Sequence, residues 1–151
     1  MHYDKILVTT DLTEDSKRAF DTAAYLAKMD SAEINLLHIS EKWQPPVYML
    51  HEIPNPESIV RYNEAIIEDA ENKLKEYATK YFHGQSLVLK VIQTEKSVWE
   101  EVCNYAKEIK ANIVLMSSHG KSRIGQIFMG SVVSQVVANA PCPVLVVPPK
   151  K

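Results

Sequence analysis

Glycine is scarce in this sequence, with only 4 residues among 151. Three of them, Gly120, Gly125 and Gly130, fall within one stretch between a strand-like segment and a helix-like segment. Glycine permits backbone angles and close ligand approaches that a side chain would block. The clustering therefore indicates either a long loop shaped by its glycines or a backbone that is open to a phosphate group.

Several other features that define whole classes of protein are missing. The 2 cysteines, Cys103 and Cys142, form no Cys-x-x-Cys pair, which favours reduced thiols in a cytoplasmic protein. A net charge of -2 argues against a general nucleic-acid-binding surface. No apolar run reaches the ~18 residues of a membrane helix, and the acidic Asp4 is atypical of a signal peptide. We therefore expect a cytoplasmic protein with neither a nucleic-acid nor a membrane partner.

Short apolar segments alternate with amphipathic segments along the chain. The apolar segments predict buried strands at Lys5–Thr10, Glu33–Ser40, Ser86–Gln93, Asn112–Ser117 and Val144–Val147. Apolar residues at helical spacing lie between successive strands, so each strand but the last leads into a helix. This order is typical of βαβ units. The sequence predicts an α/β fold in one domain over residues 1–151: a Rossmann-like, doubly wound sandwich with a five-stranded parallel sheet and helices on both faces.

Local signals mark where the predicted helices begin. Thr13 is a plausible N-cap for the first helix, and Ser97 followed by Glu100 matches a capping box for the third. The second helix runs from about Ser58 to Tyr81 and follows a long loop that contains 4 prolines. Loops of this length in compact domains are often functional.

Asp11 directly follows the first predicted strand, at the edge where parallel sheets bind their ligands. Its carboxylate has three candidate roles: to tether the loop, to accept hydrogen bonds from a ligand amine or ribose, or to accept a phosphoryl group as in receiver domains. The receiver role needs further acids, but Leu12 stands beside Asp11 and Gln93 ends the third strand. The sequence therefore favours the first two roles.

The glycine-rich stretch lacks the common phosphate-binding motifs. The chain has no G-x-G-x-x-G after its first strand and no G-x-x-x-x-G-K-[ST], which excludes an ordinary dinucleotide fingerprint and a P-loop. Gly130 and Ser131 nevertheless open the last predicted helix, whose free amides suit a phosphate, and Ser131 can cap that helix or donate to a phosphate oxygen. Lys121 and Arg123 add positive charge, and His119 is a candidate phosphate contact. An ordinary loop with an N-cap explains the same residues.

The chain as a whole resembles the universal stress protein family. The resemblance rests on KILVTTDLTEDSKRAF at the start, INLLHIS in the second strand and APCPVLVVP in the fifth. The stretch from Ser117 to Ser131 is similar to the family's nucleotide-binding signature, G-x2-G-x9-G-(S/T), with serine at the first glycine. The resemblance implies a homodimeric stress-response regulator, paired through Val144–Val147, that binds ATP, ADP or AMP with or without Mg²⁺ and acts on an unknown protein partner.

The resemblance also implies a role for each residue that matches the family pattern. Adenine and ribose would meet Thr9, Thr10 and Asp11, the Ile39 backbone would contact adenine, Met116 and Ser117 would lie against ribose, and Gly120, Gly130, Ser131 and Val132 would bind phosphates. No catalytic residue and no metal ligand is expected, so any ATP hydrolysis should be slow.

Two positions depart from the family pattern. Ser117 replaces a glycine, and serine is disfavoured if the backbone there needs a positive φ. Glu95 stands in place of a Gly-x-Pro turn, and its carboxylate would repel a phosphate if it faced the site. The alternative function is therefore a dimeric stress protein that binds no nucleotide and acts through protein–protein interaction.

Overall fold

The computed structural model describes residues 1–53, 55–118 and 129–148. The strands are β1 (Lys5–Thr9), β2 (Glu33–Glu41), β3 (Leu87–Thr94), β4 (Ile113–Ser117) and β5 (Val144–Val147). The helices are α1 (Arg18–Asp30), α2 (Glu57–Tyr81), α3 (Val98–Glu108) and α4 (Ser131–Asn139). Short 3-10 turns lie at Glu14–Lys17 and Val47–Met49.

The five strands form one parallel sheet in the order β3-β2-β1-β4-β5. The chain steps outward from β1 to β3, returns to the middle of the sheet at β4 and then steps outward to β5. The strand order therefore reverses between β1 and β4, where Val8 is paired with Leu115. Such a reversal leaves a crevice at the carboxyl ends of the two central strands.

Helices cover both faces of the sheet. On one face, α1 and α2 form an apolar layer with β1, β2 and β4, centred on Phe20, Leu74, Tyr77, Ile6 and Leu36. On the other face, α3 and α4 pack on the same strands through Val102, Tyr105, Val133, Val136, Leu7 and Val114. Because successive strand residues point to opposite faces, neighbours such as Ile6 and Leu7 enter different layers. The predicted five-stranded parallel sheet with helices on both faces is confirmed.

The helix starts differ from their predictions. The predicted N-cap position of Ser97 is confirmed, but its side chain makes no capping hydrogen bond, so the predicted capping box is wrong. Instead, Thr94 Oγ1 donates to Glu101 Oε1 at 3.0 Å and accepts from the Lys96 amide at 2.9 Å. Thr13 is the N-cap of a 3-10 turn, not of α1 itself. Side chains from the preceding strand and loop thus organise these two turns.

Candidate functional site

A chain of hydroxyl groups builds the turn that follows β1. Ser16 Oγ donates to the Thr13 carbonyl at 2.8 Å, so its proton is committed there and Thr10 Oγ1 donates to Ser16 Oγ at 2.7 Å. Thr10 Oγ1 also accepts from the Leu12 amide at 3.0 Å. Leu12 has a φ of 66°, and Tyr77 Oη donates to its carbonyl at 3.1 Å. The surrounding bonds hold a left-handed leucine in place.

Asp11 takes the tethering role that its position predicts. Its Oδ1 accepts from the Thr13 amide at 3.0 Å and from Thr13 Oγ1 at 2.6 Å. The residue is nevertheless exposed and lines the cavity described below. The turn therefore fixes the carboxylate at the edge of the cavity and leaves its position compatible with a ligand contact.

Ser117 fits its position at the end of β4 without strain. It is a buried strand residue and is not among the described residues with positive φ, so the backbone does not require glycine here. Its Oγ donates to the Ser16 carbonyl at 3.0 Å, which ties β4 to the turn after β1. The first departure from the family pattern is thus accommodated by the fold.

A cavity of about 240 Å³ lies where the strand order reverses. It brings together the predicted contact residues Thr9, Thr10, Asp11, Ile39, Met116, Ser117 and Val132. Clefts for drug-sized ligands measure ~300–1,000 Å³, so the space lined by the described residues suits part of a nucleotide.

Sequence reasoning missed several residues that line the same cavity: Ser16, Leu37, Glu41, Val98, Val102 and Val133. Two of these residues could have been predicted from the sequence, because Leu37 and Glu41 alternate with Ile39 and therefore lie on the same face of β2. The valines belong to α3 and α4, and no local pattern tells which turn of a helix reaches a strand end.

The first turn of α4 lies beside the cavity. Gly130 occupies the N-cap position, so Ser131 is the first helical residue and its predicted role as N-cap is wrong. Gly130 has φ -59° and ψ 158°, an extended conformation open to any residue. Because glycine has no side chain to cap the first-turn amides, these amides can meet an anion.

The remaining predicted contacts, His119, Gly120, Lys121 and Arg123, lie outside the described residues, and so does Gly125.

Glu95 is paired with Lys42 and does not line the cavity. Its Oε1 accepts from Lys42 Nζ at 2.8 Å, and this hydrogen bond together with the lysine charge lowers the carboxyl pKa. Glu95 lies in a depression with Thr94, Lys96 and Glu41, and of these residues only Glu41 also lines the cavity. The phosphate repulsion considered for the second departure therefore has no support in this geometry.

His38 supports the cavity from the opposite face of β2. Its Nδ1 lies 2.9 Å from the Thr10 carbonyl, which only accepts, so Nδ1 carries the proton. Burial lowers the pKa of the imidazole, while the bond to Thr10 and the charge of Asp11 act in the other direction. His38 therefore has a structural role: it ties β2 to the turn after β1.

Other features of the described chain do not indicate a competing site. A larger depression of about 480 Å³ runs along α2 and reaches Lys42 and Gln93 beside the ends of β2 and β3, but no residue of β1 or β4 lines it. Across residues 1–53, 55–118 and 129–148, no group of three or more His, Cys, Asp or Glu could hold a metal ion. Within the same ranges, no helix is both long and apolar enough to cross a bilayer.

A doubly wound parallel sheet with a cavity at its reversal point defines an α/β protein of the Rossmann-like class. A family model described as the universal stress protein family matches residues 2–148, and the chain therefore belongs to the universal stress protein family.

Individual relatives agree with this assignment. Universal stress protein YxiE of Bacillus subtilis is 28% identical over 152 residues, which cover 96% of this chain and 99% of the relative. The solved structure of MJ0577 of Methanocaldococcus jannaschii has a TM-score of 0.79 at 26% identity and covers 100% of this chain and 99% of that chain. The universal stress protein of Archaeoglobus fulgidus, solved in complex with dAMP, has a TM-score of 0.57 at 20% identity, with 97% and 99% covered, and shares the fold.

Proposed function

We propose that this protein binds an adenine nucleotide at the cavity between β1, β2 and β4, and acts as a homodimeric stress-response regulator in the cytoplasm. The observation that carries the proposal is the convergence of Thr9, Asp11, Ile39, Met116 and Val132 on one cavity beside the N-terminus of α4. The same fold in the Archaeoglobus fulgidus protein accommodates dAMP.

The cavity has an aliphatic wall against which a base can pack. Ile39, Val98 and Val102 line the end beneath β2 and α3, where a flat base would replace water against aliphatic side chains. Asp11 lies in the turn after β1, between that end and α4, where its carboxylate can accept hydrogen bonds from ribose hydroxyls. With the base against the aliphatic wall, the phosphates would extend toward the first turn of α4, whose amides suit an anion.

The phosphates would lie over the first turn of α4. The described residues that line the cavity include no lysine or arginine, so the helix amides supply the positive potential there. Lys121 and Arg123, predicted to contact the phosphates together with His119 and Gly120, would add to it. Nucleotide occupancy would then order the stretch from Ser117 to Ser131 and change a surface that a partner protein recognises.

Gly130→Asp provides the direct test of the phosphate position. Aspartate suits an N-cap with the observed φ and ψ, so the helix should survive, while its charge would occupy the phosphate position. We expect wild-type protein to bind ATP with Mg²⁺ in isothermal titration calorimetry and Gly130→Asp to lose at least about tenfold in affinity.

Gly130→Asn is the matched control, because asparagine is also a good N-cap and carries no charge. It should retain most of the affinity, and circular dichroism should be the same for both variants. No binding by the wild type at millimolar ATP would reject the proposed function, and equal affinities of the Asp and Asn variants would reject the phosphate position.

A further inference from the structure

Glu41 ends a stripe of side chains that point into the cavity. Leu37, Ile39 and Glu41 alternate along β2 and all line the cavity, so the stripe changes from aliphatic to acidic at the carboxyl end of the strand. Ile39 is buried and Glu41 is exposed. The carboxylate therefore stands at the outer rim of the end that we assign to the base.

The Glu41 carboxylate retains its capacity to accept hydrogen bonds. Among the described residues, no hydrogen bond or ion pair engages it, although Lys42 follows it directly. The Lys42 ammonium instead bonds to Glu95 at 2.8 Å. An ionised carboxylate accepts but never donates, so a ligand group at this rim must bring a proton.

We propose that Glu41 sets the base preference of the site by accepting a hydrogen bond from an exocyclic amine of the nucleotide base. The inference rests on the proposed function. Adenine carries an amine at its six-position, whereas hypoxanthine carries a carbonyl oxygen there. That oxygen would face the carboxylate with no proton between them, so the site rejects the inosine nucleotide.

Glu41→Gln tests this preference while preserving the size of the side chain. A carboxamide can accept from the amine of AMP or donate to the oxygen of IMP, so it should not distinguish the two bases. In calorimetric titrations of the full chain, we expect the wild type to bind AMP about tenfold more tightly than IMP, and Glu41→Gln to bring this ratio close to one.

The affinity ratio removes effects that both nucleotides share, such as the weaker phosphate repulsion when a negative charge is lost. Glu64→Gln, a change of the same chemistry at an exposed position on α2, should keep the wild-type ratio. An unchanged ratio in Glu41→Gln would overturn the inference and leave the proposed function intact. Binding of neither ATP nor AMP by the wild type would overturn both.

Discussion

Ser117 joins two segments of the site through one hydroxyl group. Its Oγ donates to the Ser16 carbonyl at 3.0 Å, and both residues are buried. Ser16 in turn bonds to Thr10 and to the Thr13 carbonyl. A glycine at residue 117 would remove the first bond of this chain, so here serine contributes an interaction that the family glycine cannot make.

Ser117→Ala should lower the free energy of unfolding by about 0.5–1.5 kcal/mol, because it removes the hydrogen bond from Ser117 Oγ to the buried Ser16 carbonyl. Ser117→Gly should lose about 0.5–1 kcal/mol more, since glycine gains more backbone freedom on unfolding. Urea denaturation measures both differences. Equal stability of the serine and glycine proteins would show that the bond to Ser16 contributes nothing.

His38 gives the fold a dependence on pH. Burial lowers the pKa of its imidazole below the ordinary value of 6.5, so the folded protein holds it neutral where the unfolded chain is protonated. The unfolded state then binds more protons, and stability falls as pH drops from about 6.5 toward the folded pKa. His38→Asn keeps an N–H donor for the Thr10 carbonyl and cannot titrate.

We therefore expect the unfolding free energy of the wild type to fall more steeply between pH 7.5 and pH 5 than that of His38→Asn. Urea denaturation at several pH values across this interval measures the two slopes. His51→Asn, at an exposed histidine, is the control for the exchange of histidine for asparagine. An equal dependence of the unfolding free energy on pH in the wild type and His38→Asn would contradict the lowered pKa of His38.

At the scale of elements, Asn63 fastens the proline-rich segment to α2. Its Oδ1 accepts from the Trp43 amide at 2.8 Å, and its Nδ2 donates to the carbonyls of Trp43 and Ile59, each at 3.0 Å. The Asn63 side chain is buried, and the Trp43 ring packs edge-on against Tyr62. One polar side chain thus orders a loop that has little regular structure of its own.

Asn63→Ala should cost about 1–3 kcal/mol, because it leaves polar groups of Trp43 unpaired. Hydrogen exchange should accelerate most in the segment after β2, and far less in β1. Glu64→Ala, on the exposed side of the same helix turn, should stay within about 0.5 kcal/mol of wild type. Uniform acceleration across the chain would show that Asn63 supports the whole fold and not the loop in particular.

Ser31 terminates α1 in the left-handed conformation. Its φ is 55°, and the Ala32 amide closes the turn by donating to the Ala27 carbonyl at 3.0 Å. Ser31→Gly should raise stability by about 0.5–1 kcal/mol, because only glycine adopts this conformation without a steric cost. Lys28→Gly, within the right-handed helix, should lower the stability by a similar amount. Thermal denaturation shows which of the two variants is stabilised and which is destabilised. Destabilisation by both changes would contradict this account of the helix end.

The strands were predictable from the sequence to within one residue at each end, because buried apolar runs between polar segments leave few alternatives. The hydrogen bonds at the start of α3 could not be predicted, because Thr94 on β3 bonds to Glu101 and no local sequence pattern links these two residues. At the site, residues at strand ends were predictable from parallel-sheet geometry. The cavity positions of Val98 and Val102 could not be predicted, since they depend on how α3 packs across the sheet.

At the scale of the whole molecule, the sheet has two edges, β3 and β5. Val144 and Val146 pack on the layer of α3 and α4, and Val147 packs on the opposite layer. Leu145 remains 37% exposed on this edge. An exposed apolar edge strand invites pairing with another chain, and a second copy across a two-fold axis would satisfy it symmetrically.

Leu145→Lys should therefore convert the proposed homodimer into monomer without unfolding it, because the side chain is already part-exposed and two lysines would face one another across the axis. Light scattering after size exclusion should give twice the 17.1 kDa chain mass for wild type and the single-chain mass for the variant. Val88→Lys, at a site 38% exposed on β3, makes the same change at the other edge and should remain dimeric. Dissociation by Val88→Lys alone would place the interface on β3, and a monomeric wild type would remove the homodimer from the proposed function.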